Sequence, residues 1–254
     1  ALGGMANRWR DGQVAVVQGV GYPNPNRSHF KSMDIWHSGR PEGRKDSGWL
    51  GRALEQVPVD DRTVECAVNL STKEPLSLQG EGFRPVSFRD PRRFRMRTDK
   101  GQEEAVKALT GAEADADEIL QLVGRTASDA QGSSDRVRKA VQDYRTGGDY
   151  PGSRFGGSLR TAAALIDSGL GTKVIYAYLG SFDTHANQAN RHAGLLRQLD
   201  QGMQAFQQDL EAKGHGDRVT TLVFSEFGRR VGETASGGTD HGPAGPVVLC
   251  GPKV

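Results

Sequence analysis

Val174-Ile175-Tyr176-Ala177-Tyr178-Leu179 and Val219-Thr220-Thr221-Leu222-Val223-Phe224 flank the segment 186–213, and together they decide the fold. The first flank reads as a buried strand and the second as the next strand. Between them Leu196, Leu199, Met203, Phe206 and Leu210 step by three and four residues, which places one apolar stripe on a long helix. Lys213 and Gly214 mark its end. Strand, helix and strand in this order read as a crossover unit of an α/β sheet.

Working outward, Pro246–Cys250 is a further strand and Val14-Ala15-Val16-Val17 another. Residues 1–11 read as the end of a helix, and 157–168 as a helix closed by Gly169. Residues 62–70 and 83–88 are β-like. Residues 102–146 are rich in Ala, Glu, Asp and Gln and read as two polar helices, so 90–150 is expected to be a helical cap insertion. The expected fold class is α/β: a doubly wound, mostly parallel sheet with helices on both faces. The strands near 14–18, 173–179, 219–224 and 246–250 are expected as parallel neighbours in it. Residues 1–254 form a single α/β domain by this reading, incomplete at both ends.

The chain carries 33 basic and 31 acidic residues, a balance unlike that of a general nucleic-acid binder. Arg84, Arg89, Arg92, Arg93, Arg95 and Arg97 form a local basic run, either a solvated face or a contact for an anionic polymer. Cys66 and Cys250 each lie in an apolar run and read as buried small hydrophobes. No apolar stretch reaches the roughly 18 residues of a membrane span.

Three short motifs fall beside these strands: Phe182-Asp183-Thr184-His185, Ser225-Glu226-Phe227-Gly228-Arg229 and Gly238-Thr239-Asp240-His241-Gly242. Ligands of α/β sheets sit beyond the carboxyl ends of the strands. Asp183 and His185, two residues apart, face one side of an extended segment and suit one cation; alternatively Asp183 caps the following helix. Glu226 just past a buried strand needs a metal or a partner such as Arg229 or Arg230. Asp240-His241 lies in a Gly-rich loop, as a ligand pair or as plain surface. Arg27-Ser28-His29 sits at a loop-to-helix junction, where a hydroxyl serves as nucleophile, anion cradle or simple cap. His37, His192 and His215 read as polar-surface residues without a role.

These motifs, with Gly21-Tyr22-Pro23-Asn24-Pro25-Asn26 before Arg27, Met33-Asp34-Ile35-Trp36 and Gly48-Trp49-Leu50-Gly51-Arg52, together resemble one family. It is a bacterial family catalogued as domain of unknown function fifteen-oh-one, similar to sulfatases and placed in the alkaline phosphatase superfamily. The resemblance spans nearly the whole chain and is weakest over 90–150. It implies an alkaline-phosphatase/sulfatase-like core, export to the periplasm through a twin-arginine leader, and a first strand lying before Ala1. It further implies a divalent metal, zinc or calcium/magnesium, held by Asp183, His185, Glu226, Asp240 and His241.

The same resemblance places Ser28 roughly at the nucleophile position; Ser28 or a metal-bound water is then the attacking group, Arg27 and Arg229 face the non-bridging oxygens, and His29 is a further catalytic candidate. Three departures accompany it: Asp-x-His is shorter than the usual phosphatase spacing, Glu226-Phe227 replaces an Asp-His pair, and no Cys-x-Pro-x-Arg signature is present. The expected function is metal-dependent hydrolysis of phosphate or sulfate esters, with a small-molecule or glycan ester as substrate. The alternative is an exported protein on the same fold that binds an anion or glycan without turnover.

Overall fold

The computed structural model describes residues 1–59, 62–94, 118–252 and 254. Helix α1 (Gly3–Arg10) leads into strand β1 (Val14–Gly21), then helices α2 (His29–Ser38) and α3 (Trp49–Leu54). Strands β2 (Ala67–Asn69) and β3 (Val86–Ser87) precede helices α4 (Glu118–Asp143) and α5 (Arg154–Asp167). Strand β4 (Val174–Tyr176), helix α6 (Gln188–Ala212) and strand β5 (Thr221–Val223) follow. The hairpin β6 (Arg229–Glu233) and β7 (Thr239–His241) leads into the last strand, β8 (Ala244–Cys250). Arg95, Arg97 and residues 102–117 of the expected cap lie outside the described residues. The described part of the cap after them is the one long helix α4.

The architecture is mixed α/β and includes a parallel sheet, in the order β3-β2-β4. Its central strand is sealed on both faces: Cys66, Ala67, Val68 and Asn69 are all fully buried, as a parallel strand requires.

One expectation is corrected. β1, β8 and β5 form a separate sheet, so α6 links strands of two sheets instead of crossing over within one; in it β8 lies between the other two and antiparallel to both. The reason is the connection. A parallel return needs a crossover of a dozen or more residues, usually helical. Between β5 and β8 the chain instead builds the β6–β7 hairpin, stays at the same end of the sheet, and must come back the other way. The two sheets adjoin through aromatic rings, with Tyr176 and Phe224 6.5 Å apart.

Pro246 sits inside β8 because it faces a bulge. Val17 pairs with Val247 and Val20 with Gly245, so two β1 residues oppose Pro246 alone. Gly19 supplies the left-handed turn, with φ of 69°. Proline lacks the N–H that a regular ladder position would need there.

Helix α6 covers this scaffold. Met203, Phe206 and Leu210 of its stripe join Phe155, Leu159 and Leu165 of α5, Val14 and Cys250 in one buried core, while Leu199 packs at its edge. Polar pairs fix the helices in register. Asp200 of α6 accepts hydrogen bonds from Gly4 and Met5, at the positive end of α1, at 3.0 and 2.7 Å. Asp209, fully buried, accepts from Gly147, Thr146 and Tyr150. Glu65, also buried, holds Arg136 of α4 at 2.8 Å. Both cysteines are buried and free. Among the described residues, no helix is long and apolar enough to cross a membrane.

His37 is a second correction. It is 7% exposed, at the end of α2, edge-on to Tyr176 and Phe224, with Nε2 3.2 Å from the Tyr176 hydroxyl. A single imidazole among polar neighbours in sequence gives no sign of this, because the aromatic cage comes from two other elements. Burial lowers its pKa from 6.5 to about 4, against the opposing charges of Asp34 and Glu226.

Between those two values the unfolded chain binds a proton that the native state does not, so stability rises with pH and is lost as pH falls through the window. A fall of this size corresponds to roughly 3 kcal/mol. Denaturant titrations between pH 7 and pH 4 should show the wild type losing about that much more stability than His37→Gln. Equal slopes in the two proteins would contradict the assignment.

Candidate metal centre

The topology delivers four segments to one end of the molecule. β1 and β5 both oppose β8 and therefore run the same way. The loop after β1 carries Arg27, Ser28 and His29, and the exit of β5 carries Ser225 and Glu226. β7 enters β8 at that end with Asp240 and His241, and the exit of β4 brings Asp183 and His185.

The loop after β4 is held in an irregular shape. Ser181 and Asn187 take left-handed backbone angles, φ 75° and 46°, on either side of Asp183 and His185. Such conformations in non-glycine residues persist only where the surroundings enforce them. Here the β6–β7 hairpin does so. Asn187 and Gln188 donate to the carbonyls of Ser236 and Gly237 at 3.1 and 2.8 Å, and Ser236 Oγ donates to His185 O at 2.7 Å. Thr184, fully buried, accepts from the Gln188 side chain. The N-cap of α6 is Asn187, so Asp183 is released from the capping role open to it in the sequence.

Asp183 is the centre of the constellation. Its Oδ1 lies 2.7 Å from His185 Nε2, 2.8 Å from His241 Nε2 and 3.2 Å from an Arg229 nitrogen. Its Oδ2 lies 3.3 Å from His29 Nε2. Protonated rings hold the carboxyl well below the usual carboxylate range, first through the hydrogen bond from His241 and then through the charges of His29 and His185. For His29, burial opposes the charged form. The hydrogen bond and charge of Glu226, with the charge of Asp183, outweigh it and raise the pKa above its ordinary value.

The protons on two of these rings can be placed from their partners. His241 Nδ1 faces the carbonyl oxygen of Arg27 at 3.0 Å, and His29 Nδ1 faces Glu226 Oε1 at 2.6 Å. Both partners accept and cannot donate when Glu226 is ionised, so both Nδ1 atoms carry the proton. In the neutral rings each Nε2 then turns a lone pair toward the Asp183 carboxylate. His29 Nε2 is buried and makes no aligned hydrogen bond despite its closeness to Oδ2. Lone pairs facing a carboxylate repel unless the rings are doubly protonated or a cation lies among them. One ligand atom from each of His29, Asp183 and His241 falls within a 4.8 Å group able to hold a metal ion.

The remaining sequence-derived candidates take other places. Glu226 stands behind His29, its second oxygen accepting from Ser225 Oγ at 2.9 Å. Neither Arg229 nor Arg230 is its partner. Arg229 donates to Phe182 O and Thr239 O, both at 2.7 Å, as well as contacting Asp183. Asp240 is exposed and flanks the group, 3.8 Å from His185 Nδ1 and 3.9 Å from Arg230. Neighbouring strand residues point to opposite faces, so with His241 turned inward Asp240 turns out. Ser28 is the N-cap of α2, and its side chain makes no capping bond.

Phe227 is the residue that sequence reasoning passed over. Its ring stacks on His241 at 4.2 Å and lies 5.0 Å from His29. It stood inside a quoted motif, yet an aromatic beside a strand reads as core. Of the remaining histidines, His215 pairs with Asp167 and His192 packs edge-on against Phe182.

The hairpin's grip on the loop depends on Gly238. A Cβ there would stand 2.2 Å from the carbonyl carbon of His185. Gly238→Ala should therefore push the 182–187 loop off the hairpin and cost about 1–3 kcal/mol, as overpacking does. Thermal unfolding measures the loss, and the contact between His185 and His241, whose Nε2 atoms lie 3.1 Å apart, should disappear from NMR spectra with it. A variant as stable as wild type with that contact intact would contradict the packing.

No curated protein and no solved structure matches this chain. A family model does, over residues 15–254, and the chain accordingly belongs to the family described as Protein of unknown function (DUF1501).

Proposed function

We propose that the protein is a metal-dependent hydrolase of phosphate or sulfate esters. The observation that carries the reading is the pair of imidazoles whose Nδ1 protons are fixed by Glu226 and by Arg27 O, leaving both Nε2 atoms facing the Asp183 carboxylate. Residues with one open lone pair each and a single carboxylate suit a divalent cation such as zinc, which takes imidazole and carboxylate ligands. His29, Asp183 and His241 would hold it, with His185 alongside. In place of the ligand role expected of Glu226 and Asp240, we assign them to the support of His29 and His185. Bound there, the ion would offset the negative charge that develops on the ester oxygens.

The chain's own residues supply the rest. Ser28 precedes the ligand His29 and has its hydroxyl uncommitted to capping, so it is the nucleophile of this reading. Its oxygen bonds to phosphorus or sulfur, the ester's alcohol leaves with the proton that Ser28 gives up, and water then hydrolyses the Ser28 ester. Arg27 is exposed beside Ser28 and is suited to the non-bridging oxygens of the substrate. Arg229, committed to two carbonyls and to Asp183, is a scaffold residue in this scheme. The sulfatase and alkaline phosphatase kinship, its doubly wound sheet and export through a twin-arginine leader belong to the same proposal.

The test is a zinc titration of chelator-treated protein, combined with turnover of aryl phosphates and aryl sulfates. Wild type should take up zinc and hydrolyse one ester class. Asp183→Ala should lose both properties, and Ser28→Ala should keep zinc and lose turnover. Zinc uptake without turnover of any ester would favour the binding-protein alternative. Turnover that survives in Ser28→Ala would remove Ser28 as nucleophile.

A further inference from the structure

We propose that the segment Ser225–Arg229 is a positioning shell that holds each of the three residues of the cation group through a different side chain. The proposal rests on the metal reading above. No residue of the segment belongs to the group formed by His29, Asp183 and His241, yet each member of that group meets one of them.

Glu226 holds His29. Its Oε1 accepts from Nδ1 at 2.6 Å, while Oε2 accepts from Ser225 Oγ at 2.9 Å, so both carboxylate oxygens are committed. That fixes the ring's tautomer and aims Nε2 at Asp183. Phe227 holds His241. Its ring lies nearly flat against that imidazole, 29° from parallel, and touches His29 on another side. Rotation of either ring would have to displace it. Arg229 holds Asp183, contacting Oδ1 at 3.2 Å while bridging the carbonyls of Phe182 and Thr239. It therefore ties the loop that carries the carboxylate to the strand that carries His241.

The labour is divided along the segment. Glu226 and Phe227 reach the two histidines in succession, and Arg229, opening β6, turns back to the loop. Carboxylates that hydrogen-bond the far nitrogen of a ligating histidine fix its orientation and raise its basicity. Removing one weakens metal binding without deleting the site, which separates a positioning residue from a ligand.

The experiment is calorimetric titration of zinc into metal-free wild type, Glu226→Ala, Glu226→Gln and Asp183→Ala. Glu226→Ala should bind zinc 10- to 100-fold more weakly with unchanged stoichiometry. Glu226→Gln, which keeps an acceptor oxygen, should recover part of that loss, and Asp183→Ala should show no stoichiometric binding. Nitrogen-15 NMR of the metal-free wild type supplies a readout independent of zinc, with neutral His29 carrying its proton on Nδ1. The proposal is overturned by a Glu226→Ala affinity within twofold of wild type, or by a loss as complete as that of Asp183→Ala, which would make Glu226 a ligand. A neutral wild-type His29 whose single proton sits on Nε2 overturns it as well. Absence of zinc uptake by wild type overturns the metal reading, and the proposal with it. Uptake with Glu226→Ala unaffected overturns the proposal alone.

Discussion

The Asp183 carboxylate, approached by nitrogens from three imidazoles, is the interaction on which the rest of this site depends. A carboxylate at that density of nitrogen lone pairs is stable only with extra positive charge, from protons or from a cation. Two acceptors decide where the protons go. Glu226 accepts a hydrogen bond from His29 Nδ1 and the Arg27 carbonyl one from His241 Nδ1. Once those bonds are made, both Nε2 atoms are committed to the space in front of Asp183. Protonating His29 there answers the charge in the absence of metal, in keeping with its raised pKa. A divalent ion answers it with more charge in one place.

The fold's part is to bring four sequence-distant segments to one end and keep them there. The antiparallel placement of β8 between β1 and β5 is central to this, because it sets the β1 and β5 exits beside the β8 entrance. Had β8 returned in parallel, His241 would have been carried to the opposite end. The hairpin that precludes a crossover also clamps the 181–187 loop, whose left-handed residues would otherwise relax. Rigidity matters for this chemistry, since a misplacement of about 1 Å can cost about 100-fold in rate.

Much of this was legible in the residues. The apolar runs at 14–17, 174–179, 219–224 and 246–250 supplied strands, and Met203, Phe206 and Leu210 of the stripe became the buried side of α6. The convergence of Asp183, His185, Glu226, His241 and His29 was visible as motifs beside those strands. Strand direction was not, because apolar runs carry no sign and a hairpin of five- and three-residue strands with glycines reads as a loop. The division between ligand and support that we propose was not either. Glu226 looks like a ligand in sequence because a carboxylate beside a buried strand needs a partner, and the sequence cannot say that the partner is His29. His37 was misread because its burial is made by Tyr176 and Phe224 from elsewhere in the chain.

The most direct measurement is a crystal structure of zinc-soaked protein with anomalous data collected on both sides of the zinc absorption edge. The account predicts one edge-dependent peak bonded to Asp183 and to the Nε2 atoms of His29 and His241 at about 2.0–2.2 Å, with Glu226 still on His29 Nδ1. A peak coordinated instead by Glu226 or Asp240, or no peak near Asp183 at saturating zinc, would contradict it.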